Sequence, residues 1–189
     1  MGIDIGTSSA KTLIIDEHGK PMAEASAKYP ISTPASGWAE QDPESWWASV
    51  KEAVKKTIRG SKVDPRQISA IGLSGQMHGT VLLDRGLKPL RPAIIWADKR
   101  SQSQCGEIYE RVGKKRVLGI TCNPVMPGFM APSLLWVKRN EPSVFERVFR
   151  VLLPKDYVRF RLTGSLATDV SDASATLLFD VNRKEWSTE

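Results

Sequence analysis

The stretch "GIDIGTSSAKTLIID", residues 2–16, decides the fold. Ile3 and Ile5 bracket Asp4 in strand-like alternation, Gly6-Thr7-Ser8-Ser9 interrupts, and "KTLIID" resumes the apolar pattern. Short separators rich in Gly and Ser predict an antiparallel hairpin, and "PMAEASAKY", residues 21–29, adds the third strand of a meander. A carboxylate at the end of an apolar strand must be paired, hydrated or bound to a cation. The loop that follows offers backbone N–H groups and three hydroxyls with no bulky side chain in front of them, the means by which a concavity of amides holds an anion. An acid beside a phosphate would repel it unless a divalent cation lay between, so Asp4 reads as a Mg2+ anchor and Lys11 as an added positive charge. From these residues alone, an Asx turn closing an ordinary hairpin is an equal reading.

Outward from the hairpin, "DPESWWASVKEAVKKTIRG" predicts one helix over 42–60. Asp42 fits the N-cap, Pro43 the first helical position and Gly60 the stop, with Trp46, Val50, Val54 and Ile58 as the apolar stripe. "ISAIGLSG", residues 68–75, reads as a buried strand ending in the loop "GQMHG". "TVLLD" and "PAIIW" continue in β character, 100–113 and 132–140 read as helices, and 149–164 as a strand running into a helix that starts at Pro154. Strands in a meander, a helix and a further strand predict an α/β domain with a mixed sheet.

Composition narrows the function classes. Of 189 residues, 41% are hydrophobic and 25% charged, which argues against disorder. The 27 basic and 21 acidic residues give +6, scattered rather than blocked, which suits an anionic small ligand as well as nucleic acid. Cys105 and Cys122 lack any metal-type spacing and read as reduced, core-type thiols. No signal segment, membrane-length apolar run or repeat is expected, so the expectation is a cytoplasmic protein without membrane contact.

His78 lies in a Gly-flanked loop after a strand, where an imidazole can bond a ligand hydroxyl, Met77 can pack on an apolar face and Gln76 can add a donor and an acceptor. A loop histidine satisfied by backbone is the plainer alternative. Trp96 fits either an exposed ligand-facing place or the core, whereas Trp46, Trp47 and Trp136 have core periodicity. Asp169, Asp172 and Asp180, in "TDVSDASATLLFD", suit caps and turns better than catalysis.

Taken in order, "GWAEQDPESWW", "GLSGQMHGTVLLD", "RPAIIWADKRS", "MPGFMAPSLLWV" and "LLPKDYVRFRLTG" resemble the N-terminal domain of the FGGY carbohydrate kinases. The opening hairpin resembles that of the ATPase superfamily shared by actin, hexokinase and the heat-shock chaperones. The resemblance covers 1–189 and implies a ribonuclease-H-like, actin-like ATPase domain that binds sugar. It implies transfer of a phosphoryl group from ATP to the 5-hydroxyl of D-xylulose or a related ketose, with Mg2+. It carries the metal aspartate onto Asp4, phosphate contacts onto Gly6, Thr7, Ser8, Ser9 and Lys11, and sugar contacts onto Met77 and His78. Gln76 and Trp96 stand beside them as further sugar-contact candidates.

Two departures accompany it. The family's base lies in a Gly-x-Asp-x-x-Ala-Gly-type segment absent before Glu189, so the expectation is a domain cut before its catalytic base, with no second domain and no activity alone. Met130 and Ser133 stand where the family signature has a small residue and a lysine. A nuclease of the same topology would need several carboxylates on two metals, and the strand ending in Ser74, Gly75 and Gln76 has none. An actin-like ATPase would have no use for "GQMHG". A non-catalytic sugar-binding fragment, or another FGGY pentulose or polyol kinase, remains the alternative. Apolar surface left by a missing domain would favour a homodimer.

Overall fold

A computed structural model describes residues 1–188; Glu189, the last residue of the expected domain, lies outside the described residues. The elements in order are β1 (Gly2–Ile5), β2 (Ser9–Ile15), β3 (Pro21–Lys28), β4 (Glu40–Gln41), α1 (Pro43–Ser61), β5 (Gly72–Gly75), β6 (Val81–Leu83) and β7 (Ala93–Ile94). They continue as α2 (Gln102–Val112), α3 (Lys114–Thr121), α4 (Met130–Asn140), α5 (Pro142–Phe145), β8 (Arg150–Leu152), α6 (Pro154–Thr163), α7 (Val170–Ser174), β9 (Phe179–Asp180) and β10 (Glu185–Trp186). The main sheet has the order β3-β2-β1-β5, antiparallel except for the parallel pair β1/β5, so the mixed α/β sheet is as expected.

Alternation along β1 and β2 sends Ile3, Ile5, Ala10, Thr12 and Ile14 to one face, where they are buried. Asp4 and Lys11, cross-strand partners, stand on the other. Helix α1 covers the buried face. Its Asp42 cap accepts from Glu44 N, and Pro43 occupies the first turn, as the sequence predicts. The buried stripe is Trp46, Ser49, Val50, Ala53 and Thr57 rather than Trp46, Val50, Val54 and Ile58. Each four-residue step turns 40° past a full circle, so an unbroken i, i+4 row winds off the contact face. Gly60 lies inside the helix, and Lys62 takes the left-handed cap at φ 58°.

Strand β5 corrects a second expectation. It is short and exposed in alternation, and Ile71 before it is exposed, because among the described residues β5 is the sheet's edge and pairs only with β1. An edge strand leaves one side of its backbone unpaired. Helix α6 packs on β5, β1 and α1, starting at Pro154 as predicted. Cys105 is buried but Cys122 is exposed, since it forms the left-handed C-cap of α3 rather than a core position.

A second cluster around Trp136, Val137, Leu82 and Ile94, with Trp38 packed against it, supports the 95–101 turn. The Arg100 guanidinium lies 3.7 Å over the Trp38 ring and pairs with Asp98 and Glu40. Asp98 in turn accepts Ala39 N at 2.6 Å. These fixed contacts aim Trp96, two residues before Asp98, out of the core.

Candidate functional site

Because β1 and β5 run parallel with Ile5 opposite Gly75, the loops that follow them leave the sheet side by side. The first is Gly6–Ser9 and the second Gln76–Gly79. Gln76 N donates to Ile5 O at 2.7 Å, which joins the two exits directly. In α/β sheets the carboxyl ends of adjacent strands are where ligands collect.

The first loop is a tight turn closed by Gly6 N donating to Ser9 O at 3.1 Å. Among the described residues, the Thr7 and Ser8 amides take no acceptor. Tyr29 OH donates to Gly6 O at 2.5 Å, and burial, then the charge of Asp4, pushes that phenol well above its usual range, so it stays a donor. Asp4 accepts from Ser74 Oγ at 2.7 Å through Oδ1. A Cβ on Gly6 would sit 3.6 Å from Asp4 Oδ2 and 3.2 Å from Ser9 O, filling the space before the carboxylate. Free amides, three hydroxyls, a half-exposed carboxylate with one oxygen facing the turn, and the exposed Lys11 across the strand pair fit a cation-bridged polyphosphate. Asp4 and Lys11 also line an open groove of about 700 Å³ on the sheet face opposite α1, which does not include the second loop.

In the second loop, Met77 is 57% exposed and His78 half-buried. His78 adopts φ 58° and Gly79 φ 65°. Gly79 is required, because a Cβ there would lie 2.6 Å from Pro154 Cγ. The His78 ring stacks on Phe129 with centroids 3.8 Å apart, and its Nδ1 lies 3.2 Å from Ala175 O. A carbonyl only accepts, so Nδ1 carries the hydrogen and Nε2 is left with a lone pair. Burial pushes the imidazole pKa down, against a smaller upward pull from the Ala175 bond and Asp172, so the neutral form is favoured. The histidine is therefore both backbone-satisfied and chemically available.

Gln76 is placed differently from Met77 and His78. It is 7% exposed, and its Nε2 donates to Gln41 Oε1 at 2.8 Å, so its amide faces inward. Trp96 is 46% exposed, not core, and its Nε1 donates to Thr7 Oγ1 at 3.0 Å. Asp169 caps α7 and Asp180 closes a turn, as their spacing suggests. Lys155 is bonded to Asp156, Asp169 and Asp172 at 2.7, 2.7 and 3.1 Å. Burial works against its charge, but the three carboxylates outweigh burial and raise its pKa. Met130 and Ser133 are buried in α4.

Sequence reasoning missed Phe129, Tyr29, the Ala175 carbonyl and Gln41. Gln41 and Phe129 carried a signal only in lying inside the "GWAEQDPESWW" and "MPGFMAPSLLWV" blocks.

Replacing His78 by Asn, which also tolerates a left-handed backbone, removes the Nε2 acceptor together with the Phe129 stacking and the Ala175 bond, and should lower the melting temperature by about 2–4 °C. The expected loss of affinity for a sugar that bonds it is about fivefold, from about 1 kcal/mol per net hydrogen bond. The pH dependence has a definite sign. A histidine whose folded pKa lies below the unfolded value binds fewer protons folded than unfolded. Its stabilising effect is thus fully present above the unfolded value, near 6.5, and is lost as pH falls through the lowered folded pKa. Urea titrations of parent and His78→Asn should differ most in that acidic window; parallel curves would remove the imidazole from the account.

A mixed sheet of this order with flanking helices is the actin-like ATPase fold seen in solved sugar kinases. The chain belongs to the FGGY family of carbohydrate kinases, whose N-terminal domain it matches over residues 1–189. It is 47% identical over 189 residues to the xylulose kinase of Klebsiella pneumoniae, covering 100% of this chain and 38% of that protein. The crystal structure of a xyloylose kinase from Brucella ovis superposes with TM-score 0.94 at 42% identity, covering 98% of this chain and 38% of that one. That of a gluconate kinase from Lactobacillus acidophilus superposes with TM-score 0.92 at 31% identity, over 98% and 37%. The chain thus spans well under half the length of these relatives. No helix among the described residues is long and apolar enough to cross a membrane.

Proposed function

We propose that residues 1–189 form the sugar-binding N-terminal domain of a cytoplasmic, ATP-dependent ketose kinase whose substrate is D-xylulose. The observation that carries this reading is the emergence of the Gly6–Ser9 and Gln76–Gly79 loops from adjacent parallel strands. A phosphoryl donor on one loop then lies beside a hydroxyl acceptor on the other. The choice of D-xylulose draws on the similarity to the Klebsiella protein.

In this reading, Thr7, Ser8 and Ser9 offer hydroxyls and the Thr7 and Ser8 amides offer N–H groups to phosphate oxygens, with Lys11 adding charge. Asp4, steadied by Ser74, would hold Mg2+, which when bound neutralises phosphate charge. Neutral His78 accepts a sugar O–H through Nε2, Met77 covers carbon, and Trp96 presents an indole edge. Gln76 acts from behind the loop, through Gln41. Asp169 and Asp172 are both bound to Lys155, so neither is assigned as base. Among the described residues, none is assigned here as the base for the sugar hydroxyl.

The likeness to a gluconate kinase favours one second reading, an FGGY kinase for a different sugar. Calorimetric titration with D-xylulose, D-gluconate, glycerol and an oligonucleotide distinguishes the readings. Heat with xylulose alone supports the proposal; heat with gluconate and none with xylulose transfers the site to the second reading, and heat only with the oligonucleotide overturns both.

A further inference from the structure

The two loops are joined by one buried carboxamide. Gln41 is 1% exposed, and every hydrogen-bonding position of its side chain is used. Nε2 donates to Thr7 O at 2.7 Å and Pro30 O at 3.4 Å, while Oε1 accepts from Trp46 Nε1 at 3.1 Å and Gln76 Nε2 at 2.8 Å. Chemistry determines the orientation. An indole N–H only donates and backbone carbonyls only accept, so a flipped amide would set N–H against N–H and oxygen against oxygen. Thr7 is held from a second side by Trp96, whose indole donates to its hydroxyl oxygen. The Thr7 O–H must then point away from Trp96. Buried hydrogen-bonded networks rigidify what they connect. Here Gln41 is fully bonded, while the Oε1 of its neighbour Gln76 is buried without a partner among the described residues, so Gln76 is held through its Nε2 bond to Gln41.

We propose that Gln41 is a positioning residue that ties the phosphate loop to the sugar loop, so that a change at either loop is felt at the other. Gln41 reaches no ligand itself, being enclosed. The consequence for ligands, that sugar and phosphate-side occupancy are energetically linked, rests on the function proposed above. The mechanical tie does not.

The ligand-free test is amide hydrogen exchange at Gly6 and Gln76 N–H, each closed by a hydrogen bond, in Gln41→Met, Gln76→Met and the double variant. Rates are taken relative to Val50 in α1, so that global destabilisation cancels. Each single variant should speed exchange at both amides by about tenfold, and the double variant should add little, because both substitutions cut one connection. Gly6 exchanging at the parent's relative rate in Gln76→Met would overturn the tie. Should Gln41→Met fail to fold, Gln76→Met alone still decides, since it approaches from the other end.

The ligand arm measures the dissociation constant of D-xylulose with and without Mg2+ and a non-hydrolysable ATP analogue. The parent should show a linkage of about fivefold or more, and Gln41→Met should bring the ratio to one. An equal ratio in both overturns the linkage. Absence of xylulose binding in every form sinks the ketose-kinase reading, and the exchange rates then judge the tie by themselves.

Discussion

Gly128→Ala should destabilise the chain by about 3 kcal/mol or more and displace Trp96, which is bonded to Thr7. Gly128 sits at φ 86°, where a Cβ meets its own backbone at a cost of roughly 1–2 kcal/mol. The added carbon would lie 2.2 Å from Trp96 O, 2.9 Å from Trp96 C and 3.2 Å from Asp98 O. All three belong to backbone. Moreover, Asp98 is held by Ala39 N and by Arg100, so the turn has nowhere to go. Overpacking of this kind costs about 1–3 kcal/mol on top of the torsional strain. Urea denaturation measures the loss, and red-shifted tryptophan emission together with a broken Trp96–Thr7 bond should accompany it. A variant as stable as the parent would mean that this turn is looser than its contacts say.

Trp46→Ala should cost about 3–5 kcal/mol, the range for deleting a large buried aromatic. Trp46 is fully buried at the centre of the core formed by Ile3, Ile5, Val50, Tyr157 and Val158, in edge contact with Tyr157. Its indole N–H also satisfies Gln41 Oε1. Truncation therefore leaves a cavity and removes one donor from a buried acceptor. Since whole domains are stable by only about 5–15 kcal/mol, such a loss is a large share of the total. Val54→Ala, on the partly buried flank of the same helix, should cost much less. Equilibrium denaturation of both variants gives the comparison, and equal losses would put the contact face of α1 where the simple i, i+4 row predicts it.

These two residues mark where the sequence is legible and where it is not. Local chemistry reads well. Asp42 and Pro43 announce the start of α1, Pro154 that of α6, and the Gly/Ser turn after "GIDI" the first hairpin, because caps and turns are decided within a few residues. The short apolar run 68–75 misleads, because hydrophobicity does not say whether a strand is central or at the edge. The Asp4 and His78 loops are predictable as loops, and their adjacency follows from parallel pairing of β1 and β5. The connections between them are not predictable. Gln41 meets Gln76 across 35 residues and Trp96 meets Thr7 across 89, distances at which no spacing rule operates. Gln76 illustrates the result: its place in a polar loop suggests an outward amide, yet its partner is a side chain in the core. Phe129 lies in the "MPGFMAPSLLWV" block, yet nothing in its spacing announces that it stacks beneath the His78 ring.

The central claim is that the Gly6–Ser9 turn takes phosphate while the Gln76–Gly79 loop takes sugar. Amide chemical-shift mapping of the 189-residue chain tests it most directly. Titration with D-xylulose should first move Met77, His78 and Gly79 together with the Trp96 indole N–H. Subsequent Mg2+ and pyrophosphate should move Gly6, Thr7, Ser8 and Ser9. Xylulose and pyrophosphate shifts that both fall outside these loops, for instance around α3 and β9, would contradict the account.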